Sequence, residues 1–132
     1  MPANPRPSLL IVDDDPLIRS TLSYLLDQEF DVLLASDRPQ ALQCLSRRRG
    51  GLDLALLDLG LPPHPHRADE GLALIGELLA FDPRCKIIVL SGQDEEAHAR
   101  HARTLGALEF IAKPAEPELL RKTLNQALAL RH

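Results

Sequence analysis

The sequence predicts an α/β fold, a doubly wound (βα)5 three-layer sandwich in which one parallel sheet carries helices on both faces. Three observations predict it. Five short, continuous apolar runs are spaced along the chain, longer segments with apolar residues at helical spacing stand between them, and nearly every run ends on a polar, reactive residue. Regular alternation of this kind calls for a parallel sheet, and right-handed crossovers distribute the helices over both faces. At 132 residues the chain suits one domain and an open sheet, since a closed α/β barrel takes about 250 residues.

Each element has its own warrant. Residues 1–7 are polar and proline-rich and are expected to form a flexible tail ahead of one domain over 8–132. Residues 9–12 (LLIV) read as a strand covered on both faces. Asp15 suits the N-cap of the next helix, with Pro16 in its first turn, and Ile18, Leu22, Leu25 and Leu26 follow at helical spacing. Residues 31–35 (DVLLA) form a second strand. Residues 38–48 form a helix with Ala41, Leu42 and Leu45 inward and Gly50-Gly51 as its stop. A third strand spans 53–58 (DLALLD), followed by a proline-rich loop. An apolar helix over 72–80 ends at Asp82-Pro83. Residues 86–90 (KIIVL) are the fourth strand, 94–105 a polar, alanine-rich helix ended by Gly106, and 108–112 the fifth strand. Lys113-Pro114 turns the chain into a last helix with Leu120, Leu124, Ala127 and Leu128 inward.

Composition excludes several function classes. The formal net charge is −4 and the pI is near 5.7, whereas direct binding to nucleic acid or anionic lipid needs a basic face. No apolar run approaches the roughly 20 residues of a membrane helix, and MPANPRP is not a secretory leader. Cys44 and Cys85 lie far apart outside any CxxC pattern and read as reduced thiols of a cytoplasmic protein.

In open α/β sheets, ligands gather at the carboxyl ends of the strands, where strand order reverses. Four of the five ends carry chemistry: Asp13-Asp14, Asp58, Ser91 and Lys113. With strand order 2-1-3-4-5, a flavodoxin-like arrangement, the remaining strand lies at an edge and these four ends converge. Clustered carboxylates repel unless a cation intervenes, and Mg²⁺ prefers such oxygen ligands. Lys113 adds a compact positive charge, Ser91 a hydroxyl donor, and Asp58 is placed to act as a carboxylate nucleophile forming an acyl phosphate.

IVDDDP, LLDLGLP, VLSG and FIAKP, in that order, resemble the signature positions of response-regulator receiver domains, over residues 8–130. The resemblance implies Asp58 as phosphoacceptor, Mg²⁺ held by Asp13 or Asp14, Asp58 and the backbone carbonyl of Gly60, and Lys113 and Ser91 on the phosphoryl group. It implies a sensor histidine kinase or a small phosphodonor as source, and a switch in which Ser91 moves and Phe110 turns inward. It also implies a cis peptide at Lys113-Pro114 and homodimerisation on phosphorylation as one outcome. No output domain is visible within the 132 residues, so the output domain or partner is open.

The sequence also departs from its relatives. The loop over 61–70 is longer than usual, Glu70-Gly71 replaces a common Asp-Gly, and Phe110 replaces a common Tyr. Gly60 and Gln93 occupy positions that tune phosphate lifetime in the family. DLGLPP and EGL look similar to receivers fronting sigma-54-dependent activators, of the kind linked to exopolysaccharide and PEP-CTERM loci.

Plainer readings stand beside these. Ser91 could cap a helix, and Phe110 could serve only as core. His64, His66, His98 and His101 lack metal-ligand partners at matching spacing and read as solvated. Arg47-Arg48-Arg49 reads as a helix end complementing the dipole. Two rival functions remain. One is a haloacid-dehalogenase-type phosphatase with Asp13 as nucleophile and Asp15 as acid, against which stand Pro16 and the lack of a cap insertion. The other is a pseudo-receiver that binds partners without taking phosphate.

Overall fold

A computed structural model of the chain describes residues 6–92 and 96–130. Ten elements alternate: β1 (Ser8–Val12), α1 (Pro16–Leu26), β2 (Asp31–Ala35), α2 (Arg38–Ser46), β3 (Leu54–Leu57), α3 (Asp69–Phe81), β4 (Lys86–Ser91), α4 (Glu96–Leu105), β5 (Glu109–Ala112) and α5 (Pro117–Ala129). All strands are parallel, in the order β2-β1-β3-β4-β5. The predicted doubly wound fold is therefore observed. None of the described helices is long and apolar enough to cross a membrane.

Burial follows strand position. The inner strands β1 and β3 are buried at every residue and β4 at all but Lys86, whereas the edge strands β2 and β5 are largely open. Alternate strand residues feed two cores, as a two-residue period requires. Leu10, Val12, Ala55, Leu57, Ile87 and Val89 pack with α2, α3 and α4 through Ala41, Leu45, Leu74, Ile75, Leu78 and Ala102. Leu9, Ile11, Leu54, Leu56, Ile88 and Leu90 pack on the other face with α1 and α5 through Leu22, Leu26, Leu120, Leu124 and Ala127.

Helix starts are read correctly where a side chain or proline marks them. Asp15 accepts the Leu17 N–H at 2.9 Å and Pro16 opens α1. Asp37 caps α2 by accepting the Gln40 N–H at 2.8 Å. Two boundaries are corrected. Helix α2 ends at Ser46 with Arg47 as its C-cap, so Gly50-Gly51 is not the stop. That segment instead leads into Leu52, whose N–H donates to the Asp82 carboxylate at 3.0 Å. Helix α3 begins at Asp69, not Leu72, because acidic residues in a first turn suit the dipole. This start places Gly71 inside the helix, against β3: a Cβ there would lie 2.3 Å from the Leu59 Cα and 2.7 Å from the Leu59 oxygen. Gly106, expected to end α4, has φ +119°, a conformation side chains resist.

Of the tail expected over residues 1–7, residues 1–5 lie outside the described residues. Pro7 already accepts the Asp31 N–H at 2.8 Å. Cys85 is buried and Cys44 half-buried, both free thiols.

Candidate functional site

The sheet's register sets up the site. Ala35, Val12, Leu57, Val89 and Phe110 form one row across all five strands, and Asp13 and Asp58 follow Val12 and Leu57 by one residue. The ladder extends past the assigned strands to hold them. The Asp13 N–H donates to the Ala35 oxygen at 3.1 Å, the Asp58 N–H to the Val12 oxygen at 2.9 Å, and the Lys113 N–H to the Ser91 oxygen at 2.9 Å. Three backbones are thereby fixed by the same pairing that makes the sheet, and precise placement of this kind is what a reactive site needs.

The side chains converge as the sequence requires. Lys113 Nζ donates to Asp13 Oδ2 at 2.7 Å and to Asp58 Oδ2 at 3.0 Å. Ligand oxygens of Asp13, Asp14 and Asp58 lie within 4.8 Å of one another. Asp13 is 2% exposed, and its Oδ1 accepts the Asp15 N–H at 3.0 Å. Asp58 Oδ1 accepts the Gly60 N–H at 3.0 Å. Ser91, the last residue of β4, is buried. Phe110 is half-buried against the core under α2, α3 and α4. The Lys113-Pro114 peptide is cis, as is Pro62-Pro63. Gln93 lies outside the described residues.

The electrostatics show an under-compensated pocket. Burial pushes the Asp58 carboxyl above the usual carboxylate range, while Lys113 and the Gly60 N–H pull it only partway back. For Lys113, burial lowers the ammonium, yet its hydrogen bonds to Asp13 and Asp58 outweigh that and hold it above its ordinary value. One ammonium shared by two carboxylates offsets part of their desolvation and leaves the Asp58 charge costly. A hard divalent cation fits that deficit, because the clustered ligand atoms of Asp13, Asp14 and Asp58 are all carboxylate oxygens.

Two further features carried no sequence signal. Arg19 donates through a guanidinium nitrogen to the Asp13 carbonyl at 2.7 Å, pinning the acidic turn from the first turn of α1. Arg38 forks onto Glu77, at 2.6 and 3.2 Å, and reaches Glu70 at 3.2 Å, tying α2 to α3 just beyond the long loop. Contacts to a carbonyl or between distant helices leave no local pattern to read.

The geometry weighs against Asp13 as a nucleophile. Asp15, the acid of the phosphatase alternative, is occupied in capping α1, and the Asp13 side chain is 3% exposed against 12% for Asp58. His64 and His66 are exposed, and among the described residues the three aspartates are the one cluster suited to a metal.

Comparison with known proteins agrees with this geometry. Residues 9–125 match the family model described as the response regulator receiver domain. The chain is 34% identical over 131 residues to the transcriptional regulatory protein AruR of Pseudomonas aeruginosa, with 96% of this chain and 51% of that protein covered. It is 31% identical over 124 residues to the alginate biosynthesis transcriptional regulatory protein AlgB of the same organism, with 93% and 26% covered. The chain thus spans about half the length of one of these relatives and about a quarter of the other. Among solved structures, it is similar to a response regulator protein from Burkholderia pseudomallei with a phosphorylated aspartic acid, calcium ion and citrate. The TM-score is 0.79 at 29% identity, with 89% of this chain and 66% of that one covered.

Proposed function

Because the chain belongs to the response regulator receiver domain family, we propose that residues 8–132 are a signalling unit in which Asp58 is the phosphoacceptor. The observation that carries the reading is the joint placement of Asp13, Asp58 and Lys113 at the carboxyl edge of the sheet, with Lys113 bonded to both carboxylates. Asp58 attacks the phosphorus of a phosphohistidine on a sensor histidine kinase. The P–N bond breaks, the imidazole leaves and takes up a proton, and an acyl phosphate forms on Asp58. Lys113 exchanges a carboxylate contact for a phosphoryl oxygen, and the buried Ser91 hydroxyl supplies a further donor. Asp13, Asp14, Asp58 and the Gly60 carbonyl would hold Mg²⁺, which when bound offsets charge on the transferring group. The 3.0 Å bond from Lys113 to Asp58 supports their working as a pair.

The output follows from the register row. Phe110 ends that row, half-buried on the α4 side, so movement of Ser91 toward a phosphoryl group alters the packing that Phe110 meets. The α4–β5 face so remodelled addresses an output domain or partner and supports homodimerisation. The reading is of a cytoplasmic switch whose own reactions are gain and loss of phosphate, and the likeness to transcriptional regulatory proteins supports a transcriptional output. The resemblance to sigma-54-dependent activators of exopolysaccharide type is supported by the relative named for alginate biosynthesis.

The test is phosphorylation with acetyl phosphate and Mg²⁺, followed by mapping of the modified residue. Label is expected on Asp58 and abolished in Asp58→Asn, with the circular-dichroism spectrum unchanged. Label on Asp13 would support the phosphatase reading instead. No label, together with no response to beryllofluoride and Mg²⁺, would support a pseudo-receiver.

A further inference from the structure

The opposite end of the sheet holds a charge distribution that the phosphoryl site does not use. Two clefts of about 870 and about 590 Å³ adjoin there, sharing Arg48 and Gly50. Arg6, Arg47, Arg48, Arg49, Arg84 and Lys86 line them, six of the chain's 15 basic residues in a molecule of net charge −4. The helix dipole accounts for little of this, because α2 ends at Ser46 and Arg48 and Arg49 lie beyond its cap. Three carboxylates also line the larger cleft, Asp31, Asp53 and Asp82. Two of them are committed to the fold: Asp53 accepts the Ser8 N–H at 2.9 Å and its hydroxyl at 3.1 Å, and Asp82 accepts the N–H groups of Leu52 and Arg84, each at 3.0 Å. Arg47, Arg49 and Arg84 are exposed.

We propose that this amino-edge groove is a second binding surface, which takes an extended acidic segment of a partner polypeptide. The smaller cleft runs between the edge strand β2, at Leu33 and Leu34, and the α2 side chains Gln40, Gln43 and Cys44. Strand β2 pairs only with β1 and so leaves one edge open. Amides there can bond a peptide backbone, and Leu34, 41% exposed, offers an apolar contact. The arginines supply forked donors for carboxylates. The interleaved aspartates disfavour a nucleic-acid backbone, whose charge is uniform, but suit a peptide that alternates acidic and neutral residues. The larger cleft lies at the first residues of the strands, Ser8, Asp31 and Lys86, at the end of the sheet away from Asp58, and the smaller one runs from it along the β2 edge to Leu33 and Leu34.

Fluorescence anisotropy with a labelled peptide of alternating glutamate and serine tests this on the full chain. Saturable binding is expected, weakened about tenfold in the triple variant Arg47→Glu, Arg49→Glu, Arg84→Glu. The exposed α5 variant Lys122→Glu should bind as the parent does, as should Asp58→Asn. A triple Arg→Gln variant, checked by circular dichroism, guards against a folding artefact and should also weaken binding. Absence of peptide binding, or equal binding by the folded charge variants, overturns the proposal. So does binding of a single-stranded oligonucleotide or a phosphatidylglycerol vesicle through the same arginines where the peptide fails.

Discussion

Lys113 is the residue on which the pocket's charge balance turns. Its removal strands the buried Asp13 carboxylate without its 2.7 Å partner and leaves Asp58 with only the Gly60 N–H. Lys113→Ala should destabilise the metal-free protein by about 1–3 kcal/mol, with part of the loss restored by millimolar Mg²⁺, as read by urea denaturation with and without chelator. Asp58 carries the opposite sign. Its carboxyl is raised in the fold by burial, so it ionises more readily in the unfolded chain, and stability falls as pH rises from the unfolded value through the folded one. Asp58→Asn should therefore raise the unfolding midpoint of the chelator-treated protein at neutral pH, and the gain should vanish at acid pH, where the carboxyl is protonated in both states. Asp13 and Asp58 were legible in the sequence because each follows a run too apolar to be anything but an inner strand, and Lys113 because it stands between a short apolar run and Pro114. Arg19 was not, because a guanidinium that donates to a backbone carbonyl carries no spacing signal.

Among the elements, strand identities were the most legible, since unbroken apolar runs have few other uses, and caps were legible where Asp15 marks them. Helix ends were less so. The start of α3 was misplaced because Asp69 and Glu70 look like loop residues until the dipole is considered, and Gly71 looks like a breaker. Its actual use is close approach: the backbone of β3's continuation occupies the space a Cβ would need. Gly71→Ala should cost about 1–3 kcal/mol, measured by urea midpoint, because Leu59 backbone cannot yield as a side chain could. A similar cost at Gly76, which has nothing within 4 Å of its Cβ position, would show that glycine-to-alanine change itself, not the contact, is responsible.

For the whole molecule, five strands and two cores bring groups from the length of the chain to one edge. The pocket so formed carries three carboxylates against one ammonium, and a ligand that binds only the folded state stabilises it by mass action. Mg²⁺ should raise the thermal midpoint of the parent protein in a concentration-dependent way, and Asp13→Ala should blunt that response. The gathering of arginines at the opposite edge was hidden in the sequence, because Arg6 comes from the segment before β1 and Arg48 and Arg84 from two separate connections, and they meet only through the topology.

The bond between Lys113 and Asp13 joins residues 100 positions apart. During synthesis, a nascent chain that has released β1 and β3 already presents both aspartates, yet lacks the ammonium that pairs with them. The pocket's charge balance is therefore completed only after residue 113 has cleared the ribosome, and a chain truncated before that point leaves both carboxylates without their ammonium.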